Sequence, residues 1–564
     1  MKPNFSIALI ARNEEKTLPR LIDSLKEFQS FGGEVVMVDT GSTDNTVKIA
    51  REANFVVTEV GTKFLIEIPE KLAKEINERF VVDKDDEVIK TGDKIFDFAA
   101  ARNHVASLAT NEHISFVDAD EAFTRLDLKS INELIEKKFE QFEYNFVFAH
   151  SSDGQPHIKF IQSKMYDRRK LQWVGVVHEV LQPMFEGPIT KVSMTENIFL
   201  LEHWQNQETN RDGYLKGLAY DCFMNQEKDR NSHYFGREML YKGRFKSAIK
   251  ELKRHTEMKR WPAERGQSFI FIGDCYGYLD QPDKQTENYS KAYHTDSNRR
   301  ESLIKLARFY LHNKNYRAAV SYATAALTIP FDGYYANDVE VYRHVPHEIL
   351  YVSHGWLGNI PKAQEHLLKA LSFQRENPIY LRDTGYYFDY QTVDIAGWMS
   401  YEEQLFLYES AKKMENVVEL GSWKGKSTHA ICSSKCPDVT AIDTWMGSKA
   451  EPGAHAQAKD GSVYEEFKRN VSEFTNLKII KDDINNVVDD YEDNSIDMLF
   501  IDAGHTYEEV KNDIIKWLPK VKRLICGHDY CSAWDGVKKA VVEVLGEPHE
   551  IHDTIWVHHI NKND

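Results

Sequence analysis

Four short segments near the amino terminus hold side chains suited to phosphate and divalent cations. Ala11-Arg12-Asn13-Glu14 directly follows an apolar run, where a βα turn would set it at the carboxyl edge of a sheet. VMVDTGSTDNT puts Asp39 at the end of a second apolar run, followed by a Gly/Ser/Thr turn. FDFAAARN offers Arg102 to a phosphate, with Asp97 nearby. FVDADE carries Asp118 and Asp120, an Asp-x-Asp pair that suits a divalent ion bridging two phosphates. Each segment alone is weak, since such a pair is more often a solvated turn. Four in this order, each behind an expected strand, are far rarer.

A second set lies in the last third. VVELGSWKGKST ends an apolar strand with Glu419, Gly421 and Gly425, where glycines let the backbone approach a ligand. About twenty residues on, AIDTW places Asp443 where an acid can take both hydroxyls of a ribose. A phosphate loop is excluded by spacing, because only three residues separate Gly421 from Gly425. Glu419 suits a cationic sulfonium better than a triphosphate. MLFIDAGHTYEEV and LICGHDY then supply Asp502, His505, His528 and Asp529. Two strand-end carboxylates and a histidine can bind Mg²⁺ and deprotonate a hydroxyl.

The elements that must position these groups follow from periodicity. Ser6–Ile10, Glu34–Val38, Asn54–Val60 and His113–Val117 read as strands, Leu18–Phe28 and Thr46–Ala53 as helices, giving an α/β domain with a parallel sheet. Residues 62–93 interrupt it as a charged, mostly helical insertion, expected to be a solvated surface excursion, with a mobile flap over a site as the alternative. From Asn231 to Asn377 helix follows helix. GRFKSAIKEL, NYRAAVSYATAAL and NIPKAQEHLLKAL echo one another, with a weaker copy around Cys275–Ala292. Ala248 and Ala319 lie two repeat lengths of 34–36 residues apart, a period like that of tetratricopeptide repeats. Pro330–Pro346 reads as an inserted loop and Tyr380–Tyr390 as a linker. VVEL, VTAID, LKII, IDMLFID and RLICGHD are the strands of a second α/β domain.

Bulk properties agree. At 564 residues the chain exceeds one core, and 42% hydrophobic with 28% charged residues is ordinary for a folded soluble protein. A net charge of −17 (71 basic minus 88 acidic residues) argues against nucleic acid or anionic membrane as the main partner. No run of 18 apolar residues occurs, and the start reads as a buried first strand rather than a signal peptide. Six cysteines without paired metal spacing are expected as reduced thiols, hence a cytoplasmic location.

The ordered front segments resemble family 2 glycosyltransferases of the GT-A fold; QWVGVVHE (Gln172–Glu179) and LEHW (Leu201–Trp204) match that group too. Its members with helical repeats, which include peptide S-glycosyltransferases, share the HYFGRE segment at His233–Glu238. The resemblance implies that Ala11, Arg12, Asn13, Glu14, Asp39, Arg102 and Asp118 bind the nucleotide sugar, a UDP-sugar being the expected donor. It implies that Asp118, Asp120 and His203 hold Mn²⁺ or Mg²⁺. Glu179 is then the base of an inverting displacement, with His178 as its rival. The rear segments, with AGWMSYEE at Ala396–Glu403, resemble class I S-adenosylmethionine-dependent methyltransferases of the macrolide-sugar and cephalosporin-tailoring type. By that resemblance Glu419, Gly421, Ser422, Gly425 and Asp443 bind S-adenosylmethionine. Asp502 and Asp529 bind Mg²⁺, and His505 is the general base. Those relatives often carry a carboxylate where this chain has His528. The expectation is a three-domain, bifunctional enzyme: residues 1–228 transfer a sugar to a glycan or protein acceptor, 229–378 form repeats, and 379–564 methylate a hydroxyl. The rival is a repeat-based interaction protein with one active glycosyltransferase domain and a vestigial methyltransferase domain.

Overall fold

The computed structural model describes residues 2–82, 87–150, 156–204, 212–331, 338–447, 452–459 and 461–560. The chain forms two compact units, Met1–Ser297 and Asn298–Asp564. Among the described residues, no helix is long and apolar enough to cross a membrane.

In the first unit Phe5–Ala11, FSIALIA, is buried along nearly its whole length and takes a central place. Parallel neighbours are Glu34–Asp39 on one side and His113–Phe116 on the other, with Val56–Glu59 beyond the former. Their carboxyl ends all release loops at one edge. The sheet is not parallel throughout, as the sequence suggested. Beyond His113–Phe116 the order continues Pro156–Asp167, Gln141–His150, Phe199–His203, Glu121–Leu126, and several of these pairings are antiparallel. The Asp118–Asp120 turn thus joins a strand of the parallel half to one at the far end of the sheet.

The insertion is not a solvated excursion. Helix Glu70–Phe80 buries Ala73, Ile76 and Phe80, a one-sided stripe, in a core shared with Leu218, Phe235, Met239 and Leu252. Phe80 meets Phe235 edge to face at 5.0 Å. Each large apolar side chain buried there contributes about 1.5–3 kcal/mol, so the insertion fastens the following helices to the sheet domain. Residues 83–86 of it lie outside the described residues.

The repeat region is TPR-like, built of paired helices. Helices Asp229–Tyr241 and Phe245–Glu257 pack so closely that a Cβ on Gly236 would stand 2.4 Å from Leu252. The repeat alanines Ala248, Ala319 and Ala363 are fully buried, as a helix-pair contact requires. The unit division falls between helices Pro282–Thr295 and Glu301–His312. The Pro330–Pro346 loop is shorter than expected: helix His344–Trp356 begins within it, Pro346 sits in its first turn, and 332–337 lie outside the described residues. The tyrosine-rich stretch is no free linker either. Helix Pro378–Tyr387 buries Tyr380, and Tyr390 packs with Leu367, Tyr401 and Val417 in one core.

The second unit carries a seven-stranded sheet in the order Leu477–Lys481, Asp438–Asp443, Asn416–Leu420, Ile496–Ile501, Val521–Gly527, Ile555–His559, Glu550–His552. The first five strands are parallel, and the last two pairings, through Ile555–His559, are antiparallel. The strand order reverses beside Asn416–Leu420, so the loops after Leu420 and Ile501 leave the sheet side by side, the usual place for a ligand crevice. The closing hairpin was not read from the sequence because its histidines mask the alternation.

Candidate functional sites

A cavity of about 730 Å³ opens at the carboxyl edge of the first sheet. Its loops are tied to one another. Asn13, with φ +58°, accepts from Thr43 N at 2.7 Å, and its own N–H donates to Ser42 Oγ. Asp39 accepts from Gly41 N and Ser42 N at 3.0 and 3.1 Å. These two side chains build the turns that let Arg12, Glu14 and Thr40 face the cavity.

Arg102, on helix Phe98–Leu108, is buried between the rings of Phe116 (4.1 Å) and Trp173 (4.8 Å). Its Nε meets Glu179 Oε1 at 2.6 Å and its Nη2 meets Asp118 Oδ1 at 3.4 Å. Next to it stands a buried cation that the sequence reading missed. Lys164 Nζ lies 2.7 Å from Asp118 Oδ2 and 2.6 Å from Glu121 Oε1. Against desolvation, Lys164 and Arg102 hold the Asp118 carboxyl well below the usual range. Burial pushes Glu121 up to about 7, with Lys164 opposing and Asp118 adding to the shift.

Asp120 is placed differently. His203 Nδ1 is 3.0 Å from the Phe148 carbonyl, so that nitrogen carries the proton, and Nε2 faces Asp120 Oδ2 at 3.1 Å. A lone pair cannot rest against a carboxylate oxygen. The contact needs either an imidazolium proton or a shared cation, and Asp120 raises the His203 imidazole accordingly. This pair fits a divalent ion in the cavity.

His178, with φ +52°, stacks on Tyr234 at 3.7 Å, and its Nε2 is bonded to Tyr214 OH. Burial, aided by Arg237 and Arg230, pushes its pKa down to about 3, so the ring is neutral. The loop bearing His178 and Glu179 is held by Asp221, fully buried, whose Oδ2 accepts from Val176 N at 3.2 Å and Asn231 Nδ2 at 2.6 Å. Tyr214 and Arg230, from the first helices after the sheet domain, complete the wall.

In the second unit a cavity of about 600 Å³ sits at the strand-order reversal, lined by Gly421, Ser422, Asp443, Asp502, His505 and Asp529 among others. A Cβ on Gly421 would lie 2.2 Å from the Asp502 carbonyl oxygen, so the turn can pass that backbone only as glycine. Asp443 accepts from Ser422 N (2.7 Å), Trp423 N (2.9 Å) and Trp445 N (2.6 Å). A carboxylate has about four acceptor sites, so room remains for one ribose hydroxyl, not both. Trp398 and Trp423 add aromatic surface for a purine.

Asp502, His505 and Asp529 bring one ligand atom each within 4.8 Å of one another. This set fits a divalent ion. His505 Nε2 lies 2.8 Å from Asp529 Oδ2; against desolvation, Asp502 and Asp529 push its pKa up to about 10. His528 Nδ1 faces Asp502 and Asp529 at 3.5 and 3.4 Å, while its Nε2 meets the buried Glu403 at 3.2 Å. Glu403 closes a capping box with Ser400 and binds Thr554.

Residues 6–61 match the family described as Glycosyl transferase family 2, and residues 418–530 match the family described as Methyltransferase domain. One chain thus joins a segment that matches the family 2 glycosyltransferase model to one that matches a methyltransferase model. An uncharacterized protein, y4gI, of Sinorhizobium fredii is 27% identical over 127 residues, 21% of this chain and 13% of that protein's length. The aligned part is thus a small fraction of that relative. Among solved structures, Pseudomonas aeruginosa pilF is similar at 12% identity (31% of this chain, 74% of that one, TM-score 0.26). YrrB, a TPR protein, is similar at 16% identity (30% and 81%, TM-score 0.24).

The front cavity receives Ala11, Arg12, Glu14, Arg102, Asp118, Asp120, His178, Glu179 and His203. Asn13 and Asp39 stay outside its lining, occupied by their own turns. Asp118 is engaged by Lys164 and Arg102, which leaves Asp120 and His203 as the pair that could hold a divalent ion. In the cavity of the second unit Glu419 and Gly425 are missing from the lining. Glu419 is fully buried beneath the loop, where Ser422 Oγ (2.7 Å) and Thr428 donate to it, and burial pushes it up to about 7. Gly425, at φ +90°, starts helix Lys426–Ser433. All six cysteines are free thiols.

Two missed residues left a signal. Gln162 and Lys164 fall on one face of an alternating strand and both line the cavity. Ser400-x-x-Glu403 is a legible capping box.

Proposed function

We propose that the front site transfers a sugar from a nucleotide-sugar donor, a UDP-sugar first, to a hydroxyl or thiol of a glycan or protein acceptor. The rear site methylates a hydroxyl with S-adenosylmethionine. The observation that carries this reading is a pair of separate cavities, each at the carboxyl edge of its own sheet and each holding a carboxylate–histidine set aimed inward.

At the front, Asp120 and His203 would hold Mn²⁺ or Mg²⁺, which neutralises a departing diphosphate. Arg12 and Arg230 line the cavity as further cations for that diphosphate. Glu179, oriented by Arg102, takes the acceptor proton as the acceptor atom bonds to the anomeric carbon and the bond to the diphosphate breaks. The outcome is inversion. Neutral His178, fixed by Tyr214 and Tyr234, shapes the acceptor side. Part of that wall, Arg230 and Tyr234, comes from the first helix of the repeat region, which supports a role for it in acceptor binding.

At the rear, S-adenosylmethionine supplies an electrophilic methyl on a sulfonium. Asp443 and the Gly421–Trp423 backbone border its seat, and Asp502 and Asp529 would hold Mg²⁺. With the charges of Asp502 and Asp529 taken up by such an ion, His505 would lose the proton those two carboxylates otherwise hold on it and would receive the hydroxyl proton as oxygen bonds to the methyl carbon and the sulfur–carbon bond breaks. The test for the front is a donor-hydrolysis screen across nucleotide sugars with Mn²⁺, comparing the wild type with Asp120→Ala. Activity indifferent to both metal and substitution refutes the assignment. For the rear, calorimetry with S-adenosylhomocysteine should show binding weakened by Asp443→Asn; unchanged affinity refutes that seat.

A further inference from the structure

Behind the front cavity, three successive helices of the first unit bring together a second set of metal-ligating side chains. Asp229 opens helix Asp229–Tyr241, His255 lies on Phe245–Glu257 and Glu264 on Pro262–Tyr278. One ligand atom from each lies within 4.8 Å of the others. His255 is 2% exposed and Glu264 3%, while Asp229 is half-buried.

The hydrogen bonds around the set leave it open toward its own centre. His255 Nδ1 meets Ser268 Oγ at 2.9 Å, and the same hydroxyl meets His233 Nδ1 at 2.7 Å. A hydroxyl has one hydrogen, so it donates to one ring and accepts from the other; when it accepts from His255 Nδ1–H, the Nε2 lone pair of His255 is left for a metal. The remaining nitrogen of His255 has no hydrogen-bond partner among the described residues. The Glu264 carboxylate has neither a hydrogen bond nor an ion pair among them. A carboxylate so little exposed is stabilised by a cation beside it. Burial raises its pKa, with Arg230 opposing and Asp229 adding to the rise.

We propose that Asp229, His255 and Glu264 form a binding site for one divalent transition-metal ion, Zn²⁺ before Mn²⁺, that clamps the three helices. Two carboxylates balance the charge of such an ion, imidazole and carboxylate are both zinc ligands, and three protein ligands leave the fourth position for water. The Ser268 hydroxyl is the outer partner that orients a metal-bound histidine. The clamp has a consequence for the cavity: Arg230, next to Asp229, lines it, and Tyr234, one turn on, stacks on His178. The site itself stands apart from the sugar-transfer reading.

The test uses the full chain carrying Asp120→Ala, Asp502→Asn and Asp529→Asn, which silences the other two candidate metal sites. After chelator treatment, loading with Zn²⁺ alone and desalting, this protein should retain one equivalent of zinc and melt at a higher temperature than its stripped form. Adding Asp229→Asn, His255→Gln or Glu264→Gln should remove that equivalent. Each should weaken zinc binding by at least the ~10–100-fold seen when an outer partner of a metal ligand is lost. Asp229→Asn, at a half-exposed position, decides the matter should a buried variant unfold. Retention of zinc by the Asp229→Asn and Glu264→Gln proteins overturns the proposal. So does a background protein that holds no zinc at micromolar concentration.

Discussion

Replacing Lys164 by methionine tests whether the Asp-x-Asp turn depends on a buried cation. The ammonium lies within 2.7 Å of two carboxylates, and the Lys164 and Glu121 side chains are 11% and 2% exposed. Removing one partner of a buried pair costs about 3–5 kcal/mol, because the other charge is left uncompensated. Glu121 has a partial escape. Its pKa already stands at about 7, so below that pH it becomes neutral and less of the cost is felt. The sign follows from linkage. A carboxyl raised in the native state binds a proton that the unfolded chain has released, so stability falls as pH rises from the unfolded value, about 4.3, through about 7. Without Lys164 that fall extends to higher pH. Lys164→Met should therefore be mild at pH 5.5 and reach the full ~3–5 kcal/mol near pH 8.5, roughly 6–20 °C in the midpoint of a domain of this size. Calorimetry of the intact chain at both pH values measures it. The double variant Lys164→Met/Glu121→Gln should recover most of the loss, because the amide can donate to Asp118 while Arg102 still balances that charge. Equal cost at the two pH values, or a double variant no better than the single one, refutes the reasoning.

Three further outcomes are expected. Glu179→Gln should lower kcat for sugar transfer by about 10²–10⁴, while His178→Gln, a ring already neutral and bonded to Tyr214, should stay within about tenfold; single-turnover transfer assays compare them, and the reverse order makes His178 the base. In chelated protein the melting transition of the second unit should drop as pH rises from about 6.5 through about 10, because the raised His505 contributes stability below its unfolded pKa and loses it above the folded one. His505→Gln should flatten that slope. Gly421→Ala should cost about 3 kcal/mol or more by overpacking, since its Cβ would fall 2.2 Å from the Asp502 carbonyl; normal yield and an unchanged midpoint would contradict the geometry.

The strand ends were legible because a strand in the middle of a parallel sheet must be apolar along its length, and such runs stop where polar side chains begin. Ala11, Asp39, Leu420 and Asp443 mark those stops in both sheets. Which strand-end acid meets a ligand was not legible. Asp39 and Glu419 occupy the same local position as groups that face a cavity, yet donors of their own loops consume them. The difference lies in where the next few N–H and hydroxyl groups point, which only the folded turn decides.

Long-range partners were hidden for a related reason. Lys164 is 46 residues from Asp118, Asp221 is 45 from Val176, and His528 is far in sequence from Glu403. Each couples a charge or loop on one element to an anchor on another, and no periodicity records that. The insertion illustrates the converse. Its charge suggested solvent, while the spacing of Ala73, Ile76 and Phe80 already described a helix with one apolar face. Charge reports only what a helix shows to water; the stripe reports what it must bury. For this chain the stripe was the better guide, because the surface it covers is the one joining the first repeat helices to the front cavity.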